Sequence, residues 1–218
     1  MGRINGVVVG IVQSLEDPKN LGRIEVQFPW LSDQNKSYWA RVATFMSGSR
    51  RGSWFMPELG DEVLVAFEHG CVQHPYVVGF LWNGKDKPPN DAPTIDSKVR
   101  RLRTVSGHVV EFDDRPGQER ILIQTKGGHK IEMNDTPGNI HIETAQGQKV
   151  DLDTAGITIF TSGTLTINCL TANVTASSML NVSAPMTVFS GVVQIPTLIA
   201  QAVIGSSYTP APGNTFGL

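Results

Sequence analysis

The feature that most constrains this chain is its uncharged C-terminal segment, residues 154–218. All 18 Lys and Arg and all 20 Asp and Glu residues lie at or before Asp153. Thr, Ser and Asn interrupt the apolar residues of this segment, so no run approaches the roughly 18–20 apolar residues of a membrane-spanning helix. Small polar side chains alternating with apolar ones suit the surface of a stiff β-structure, and they cost little to desolvate.

In the first part of the chain, from Gly6 to Trp82, apolar and polar residues alternate with a period of two. Ile24, Val26 and Phe28 alternate with polar residues, as in a half-buried strand. Five short strands without an amphipathic helix predict a small closed barrel over residues 1–82, and the OB-fold is the best-known barrel of this size. The predicted strands are Val7–Ser14, Gly22–Phe28, Tyr38–Phe45, Asp61–Glu68 and Tyr76–Trp82.

Residues 83–104 are typical of a linker. Pro88, Pro89 and Pro93 lie among Lys, Asp and Asn, with little apolar surface to bury. The basic residues at its end form either a solvated face, which we favour, or a docking strip; they are Lys98, Arg100, Arg101 and Arg103.

From Val105 onward, short strands recur every seven to ten residues with glycines between them. Each strand is too short to bury its own apolar face, so the units must stack. Strands of five or six residues suit a narrow prism whose three sides come from three chains, and we expect an intertwined triple-stranded β-helix over residues 105–184. The candidate residues of the trimer core are Ile121, Ile123, Ile131, Met133, Ile140, Ile142, Val150, Leu152, Ile157, Ile159, Leu165, Ile167 and Cys169.

Charged residues mark the outer face of this region as far as Asp153. Glu132, Glu143 and Asp151 stand opposite the apolar positions. Residues 185–218 then form the tip of the needle or the end that binds a cap, since Pro185 and Pro196 cannot donate ladder hydrogen bonds.

The overall composition narrows the possible functions. The net charge of −2 argues against bulk binding of nucleic acid, which leaves a basic footprint. Cys71 and Cys169 form neither a metal-spaced pair nor a disulfide framework, which fits synthesis in the cytoplasm. The Val7–Val12 run is too short for a signal peptide and meets acidic residues at once.

A cluster of potential metal ligands lies at residues 68–74. Glu68, His69, Cys71 and His74 fit no standard zinc spacing, so a hairpin tip is the favoured interpretation and a metal site the alternative. We therefore predict no cofactor.

Asp113 and Asp114, with Glu111 nearby, are candidates for a glycosidase pair. Such a pair must face one sugar across a defined gap, whereas adjacent strand residues point to opposite faces. A turn role is therefore favoured, and we predict that the chain is not an enzyme.

The tryptophans allow two interpretations. An OB-fold can stack single-stranded nucleic acid on aromatic rings, but the acidic balance favours core and inter-subunit packing. The residues are Trp30, Trp39, Trp54 and Trp82.

Several motifs together resemble the OB-fold of phage baseplate assembly protein V and of the related VgrG spikes of contractile injection systems. The resemblance covers roughly residues 5–135. The motifs are Gly22–Val26, Phe28–Trp30, Trp39–Val42, Pro57–Val63, His74–Gly79, Ser106–His108 and Phe112–Asp114.

This resemblance implies a homotrimeric, membrane-piercing central spike assembled into the baseplate of a virion or injection particle. The OB-fold end would sit on a hub protein, which we expect to be a separate chain because the barrel begins at once. A PAAR-repeat protein would cap the C-terminal end, or the tail would fold back over itself. Some relatives bind iron through a His-x-His motif, which is missing here after His141. The alternative function is a β-helical tailspike that binds or cleaves glycans.

Overall fold

The computed structural model describes residues 3–30, 37–89 and 96–206, and it is almost entirely β-structure. The chain divides into two compact units, Met1–Leu165 and Thr166–Leu218. The described residues include no helix that is long and apolar enough to cross a membrane.

A closed barrel occupies the N-terminal part of the first unit. Its strands are β1 Val7–Ser14, β2 Arg23–Gln27, β3 Ala40–Val42, β6 Glu62–Phe67 and β7 Pro75–Leu81. They are neighbours in the order β1-β2-β3-β7-β6, and β6 pairs with β1 to close the barrel. β3 and β7 run parallel, and the other neighbours in the barrel are antiparallel. The predicted five-stranded, OB-like barrel is confirmed.

The barrel core follows from the predicted alternation. Ile24, Val26 and Phe28 are buried, while the intervening residues of β2 remain partly accessible. Phe28 packs against Phe67 with ring centroids 5.6 Å apart. The buried core consists of Val12, Ile24, Val26, Phe28, Ala40, Val63, Val65, Phe67 and Val77.

The third barrel strand is shorter than the predicted span Tyr38–Phe45. After Val42 the chain leaves the barrel and forms a two-stranded hairpin of β4 Ser47–Gly48 and β5 Arg51–Gly52. This hairpin has no sequence signal, because its strands are two residues long and exposed.

Asp17 holds the turn between β1 and β2. Its carboxylate accepts hydrogen bonds from the backbone N–H groups of Lys19 and Leu21, at 3.0 and 2.8 Å. The guanidinium of Arg23 bonds both carboxylate oxygens, at 3.0 and 2.5 Å. These bonds, chiefly that from Arg23, hold the pKa of Asp17 far below its ordinary value.

A seven-stranded antiparallel sheet follows the barrel, and its strands are neighbours in chain order. They are β8 Val99–Arg103, β9 Val109–Asp113, β10 Arg120–Gln124, β11 Lys130–Asn134, β12 Asn139–Glu143, β13 Lys149–Asp153 and β14 Gly156–Phe160. β8 corrects the sequence analysis, which assigned all of residues 83–104 to a linker. A strand rich in arginine lacks an apolar signature, but here it pairs in full register with β9.

The described residues of the second unit, 166–206, contain neither helix nor strand, and their side chains are exposed. Leu165 and Ile167 were predicted to lie on a strand, and within one chain that strand does not form. The predicted needle tip at 185–218 lies partly outside the described residues, which end at residue 206.

Candidate oligomerisation surface

One face of the seven-stranded sheet carries two parallel ladders of apolar side chains. Because successive residues of a strand point to opposite faces, every strand contributes its second and fourth residues to this face. Cross-strand partners place one ladder along Phe112, Ile121, Met133, Ile140, Leu152 and Ile157. The other runs along Leu102, Val110, Ile123, Ile131, Ile142, Val150 and Ile159.

These ladders remain open within a single chain. Exposure of their accessible isoleucines ranges from 36% at Ile121 to 70% at Ile157. A contiguous apolar patch of this kind usually marks a protein interaction surface. We call it the apolar face.

The apolar face contains ten of the candidate core residues, those from Ile121 to Ile159, in the alternation that the sequence predicts. The other three, Leu165, Ile167 and Cys169, lie beyond the last strand and are exposed. For all thirteen candidate residues, placement in a shared trimer core stays a prediction.

The opposite face, which we call the polar face, carries a continuous network of charges beside the buried Leu122 of β10. Arg101 bonds Glu111 at 2.6 Å, and Glu111 also accepts from Arg120 at 2.9 Å. Arg120 continues to Glu132 at 3.1 Å. The network then passes through Lys130, Glu143, His141 and Asp151 to Lys149. Acids and bases therefore alternate across six neighbouring strands.

The carboxylates considered as a catalytic pair belong to this network or to a turn. Glu111 and Asp113 are both buried on the polar face, whereas Asp114 lies on the other face and is exposed. Asp113 bonds the backbone and guanidinium of Arg115, which lowers its pKa to about 2. Asp113 thus has the expected turn role. The burial of Glu111 was not predicted, because its arginine partners, Arg101 and Arg120, become apparent only from the cross-strand register.

His141 lies between two carboxylates on the polar face. Its Nε2 bonds Glu143 at 3.0 Å, and its Nδ1 bonds Asp151. Both ring nitrogens can donate only when the imidazole is protonated. Glu143 and Asp151 therefore raise the pKa of His141.

A repeated turn connects three pairs of strands, and the sequence analysis did not recognise it. Thr104, Thr125 and Thr144 each begin a five-residue turn whose fourth residue is glycine. In each turn the threonine hydroxyl accepts the N–H of the fifth residue, at 3.0 to 3.2 Å. Hydrogen bonds to two imidazoles connect neighbouring turns. Nδ1 of His108 accepts the N–H of Lys126, and Nδ1 of His129 accepts the N–H of Ala145. The recurring Thr-x-x-Gly pattern was the available signal.

The potential metal ligands at residues 68–74 lie in and just after a short 3₁₀ turn, Glu68–Gly70, between β6 and β7. This is the hairpin-tip position that the sequence favours. In the described part of the chain, no group of three or more His, Cys, Asp or Glu side chains is arranged to hold a metal ion.

The tryptophans were predicted to pack in the core or between subunits, and none of the four is fully buried within the chain. Trp30, Trp54 and Trp82 are exposed. Trp39 is partly buried, with the guanidinium of Arg23 5.9 Å from its ring centroid. Smaller residues and two phenylalanines fill the barrel core instead, and packing of the tryptophans between subunits stays a prediction.

Comparison with known protein families gives two matches on this chain. Residues 8–82, the barrel, match the type VI secretion system/phage-baseplate injector OB domain. Residues 120–185 match the phage baseplate V C-terminal trimerisation domain, and this span contains β10 to β14 of the apolar face.

Individual relatives share part of this chain. The type VI secretion system spike protein VgrG3 of Vibrio cholerae is 34% identical over 49% of this chain and 11% of its own length. VgrG5 of Pseudomonas aeruginosa, also a spike protein, is 31% identical over 58% of this chain and 17% of its own length. The actin cross-linking toxin VgrG1 of Vibrio cholerae is 30% identical over 48% of this chain and 10% of its own length. The chain thus spans less than a fifth of each of these relatives.

Proposed function

We propose that this chain is a spike of the baseplate V and VgrG type and serves as the membrane-piercing central spike of a contractile injection machine. Its barrel matches the phage-baseplate injector OB domain, and residues 120–185 match the baseplate V trimerisation domain. The spike is a homotrimer in this proposal. It mounts on the baseplate hub through its barrel, and its C-terminal end meets the target envelope.

The observation that carries the proposal is the open apolar face. Two apolar residues per strand cannot form a core alone, because a sheet must cover its apolar side with another layer. Three such faces around a three-fold axis cover one another and leave the three polar faces in water. The match of residues 120–185 to a trimerisation domain supports this arrangement.

We propose that the needle has two parts, which differ in whether their strands pair within one chain or between chains. From β8 to β14 each strand pairs with a strand of its own chain, so each chain supplies one complete side of a prism. Residues 166–206 form no strand within the chain, and their backbone groups need partners from the other two copies. The intertwined part would therefore begin after Phe160, later than the sequence analysis placed it.

The surface chemistry also fits passage through an envelope. The charges end at Asp153, so the leading part of the needle carries only small polar and apolar residues. Such groups cost far less to move into a lipid environment than ionised ones. A separate PAAR-repeat protein, or the chain's own C-terminal tail, would cover the apolar tip in this proposal.

We propose a mechanical rather than enzymatic role. The residues considered for catalysis form ion pairs and turns, as described for Glu111 and Asp113. The toxin among the relatives is matched over only 10% of its length, so its named activity is not transferred to this chain.

Counting the chain in purified injection particles tests this function. Quantitative mass spectrometry should find three copies per particle, and deleting the gene should give particles that no longer breach target cells. Many copies per particle would instead indicate a peripheral fibre, and absence of the chain from particles would contradict the spike role.

A further inference from the structure

We propose that Arg100 and Asp114 of three chains form an ionic ring at the β8 edge of the apolar face. The inference rests on the proposed trimer and names a contact within it.

The register places both residues on the apolar face. Arg100 pairs with Phe112, so it occupies the first position of the ladder that continues with Ile121. Asp114 N donates to Lys98 O at 2.9 Å, which extends the pairing of β8 and β9 by one residue. By alternation, Asp114 then points to the same side as Phe112. One end of an otherwise apolar ladder is therefore charged.

This pair differs from the ion pairs on the polar face. Arg100 bonds Asp114 within the chain, yet their side chains remain 64% and 62% exposed. On the same two strands, the Arg101–Glu111 pair of the polar face is already 21% and 3% exposed. The exposed pair is thus on the face that assembly would cover, and the opposite face shelters its pair within a single chain.

Covering the apolar face would leave an isolated pair incompletely satisfied. A guanidinium has five N–H donors, and one carboxylate meets only part of them. In a three-fold ring, each Arg100 can bond its own Asp114 and that of the next chain, and the ring is electrically neutral. Buried ionic groups of this kind are best attested as determinants of register. The ring would therefore align the three chains where the needle begins.

Disulfide trapping tests the ring directly. In full-length protein with Cys71→Ser and Cys169→Ser, Arg100→Cys chains co-expressed with tagged Asp114→Cys chains should yield a covalent dimer of one tagged and one untagged chain on oxidation, visible on a non-reducing denaturing gel. Keeping the two cysteines on different chains prevents a disulfide within one chain, where Arg100 and Asp114 are also in contact. Tagged and untagged chains that both lack the two cysteines are the matched control and should give no covalent dimer. Mixed trimers, identified by native mass, that give no tagged–untagged dimer would overturn the ring.

Charge exchange gives a second readout. Arg100→Asp should lower the temperature at which the trimer dissociates at low salt, and adding Asp114→Arg should restore most of that loss. An unchanged dissociation temperature for Arg100→Asp would contradict the proposal. If the unaltered protein were not a trimer by native mass, the proposed function itself would fail instead.

Discussion

His141 shows how much one residue depends on its cross-strand neighbours. Glu132 of β11 and Asp151 of β13 flank it on the polar face, and Glu143 approaches from its own strand. Glu143 and Asp151 raise the pKa of His141, while partial burial of the ring and the nearby Lys130 partly oppose this effect. The raised pKa extends the pH range in which the imidazole is protonated, and the protonated ring links β12 to β13 through Asp151.

We predict a pH-dependent contribution of His141 to stability. Glu143 and Asp151 raise its folded-state pKa, so its contribution is complete below the ordinary histidine pKa of about 6.5. The contribution is lost as the pH rises through the folded-state pKa. Thermal unfolding of the native protein and of His141→Gln should differ most near pH 6, and the difference should shrink toward pH 9. A difference that stays constant or grows with pH would contradict this assignment.

At the residue scale, the sequence shows which side chains alternate but not which of them meet. Glu111 and Asp113 are two residues apart, which places them on one face. The arginine partners of Glu111, Arg101 and Arg120, follow only from the strand register, whereas Arg115 is a local partner two residues after Asp113. The buried ion pairs were therefore outside the reach of pattern analysis.

Among the elements, the repeated turns set the register of the sheet. Gly128 has a φ of +91°, a conformation that side chains with a Cβ rarely adopt, whereas the preceding Gly127 has no such constraint. The three turns at this edge share the same hydrogen bonds, so each one fixes the register of the two strands that it connects.

We predict opposite effects for alanine at these adjacent glycines. Gly128→Ala should destabilise the protein by about 1–2 kcal/mol, because the backbone is held at positive φ. Gly127→Ala should be neutral or stabilising by up to about 1 kcal/mol, because its new Cβ would meet only ordinary contacts. Chemical denaturation of both variants measures the two effects. Equal losses of stability in the two variants would contradict a specific role for the positive φ of Gly128.

The edge strand β14 allows a matched test of the apolar face. Ile159 and Thr158 are adjacent and exposed within one chain, but they point to opposite faces. Ile159→Asn should weaken the trimer by roughly 2–5 kcal/mol per chain, as expected for loss of a large buried side chain. Thr158→Asn should leave it nearly unchanged. Dissociation in denaturant, followed by size-exclusion chromatography, separates the two; similar behaviour would place the interface elsewhere.

Elements with a clear apolar alternation were predictable, and those without it were not. The five barrel strands and β10 to β14 followed from period-two patterns. β8 was missed because cross-strand ion pairs replace apolar contacts along it. The hairpin of β4 and β5 was missed because it buries nothing.

For the whole molecule, Cys169 reports on the part of the needle beyond the sheet. Its thiol is exposed in a single chain. Two residues after Ile167, it should face the shared axis if the segment forms a strand between chains. We expect native protein to resist thiol labelling at Cys169 while denatured protein reacts readily, with Cys71→Ser removing the other thiol. Rapid labelling of the native protein would contradict this register.

The central claim is that three chains cover one another's apolar faces. The most direct test is the mass of the native protein at micromolar concentration, measured by light scattering or native mass spectrometry. The account predicts a single species of three times the mass of one chain, without detectable monomer, because unpaired needle segments would expose both apolar side chains and strand edges. A monomeric or dimeric species under these conditions would contradict it.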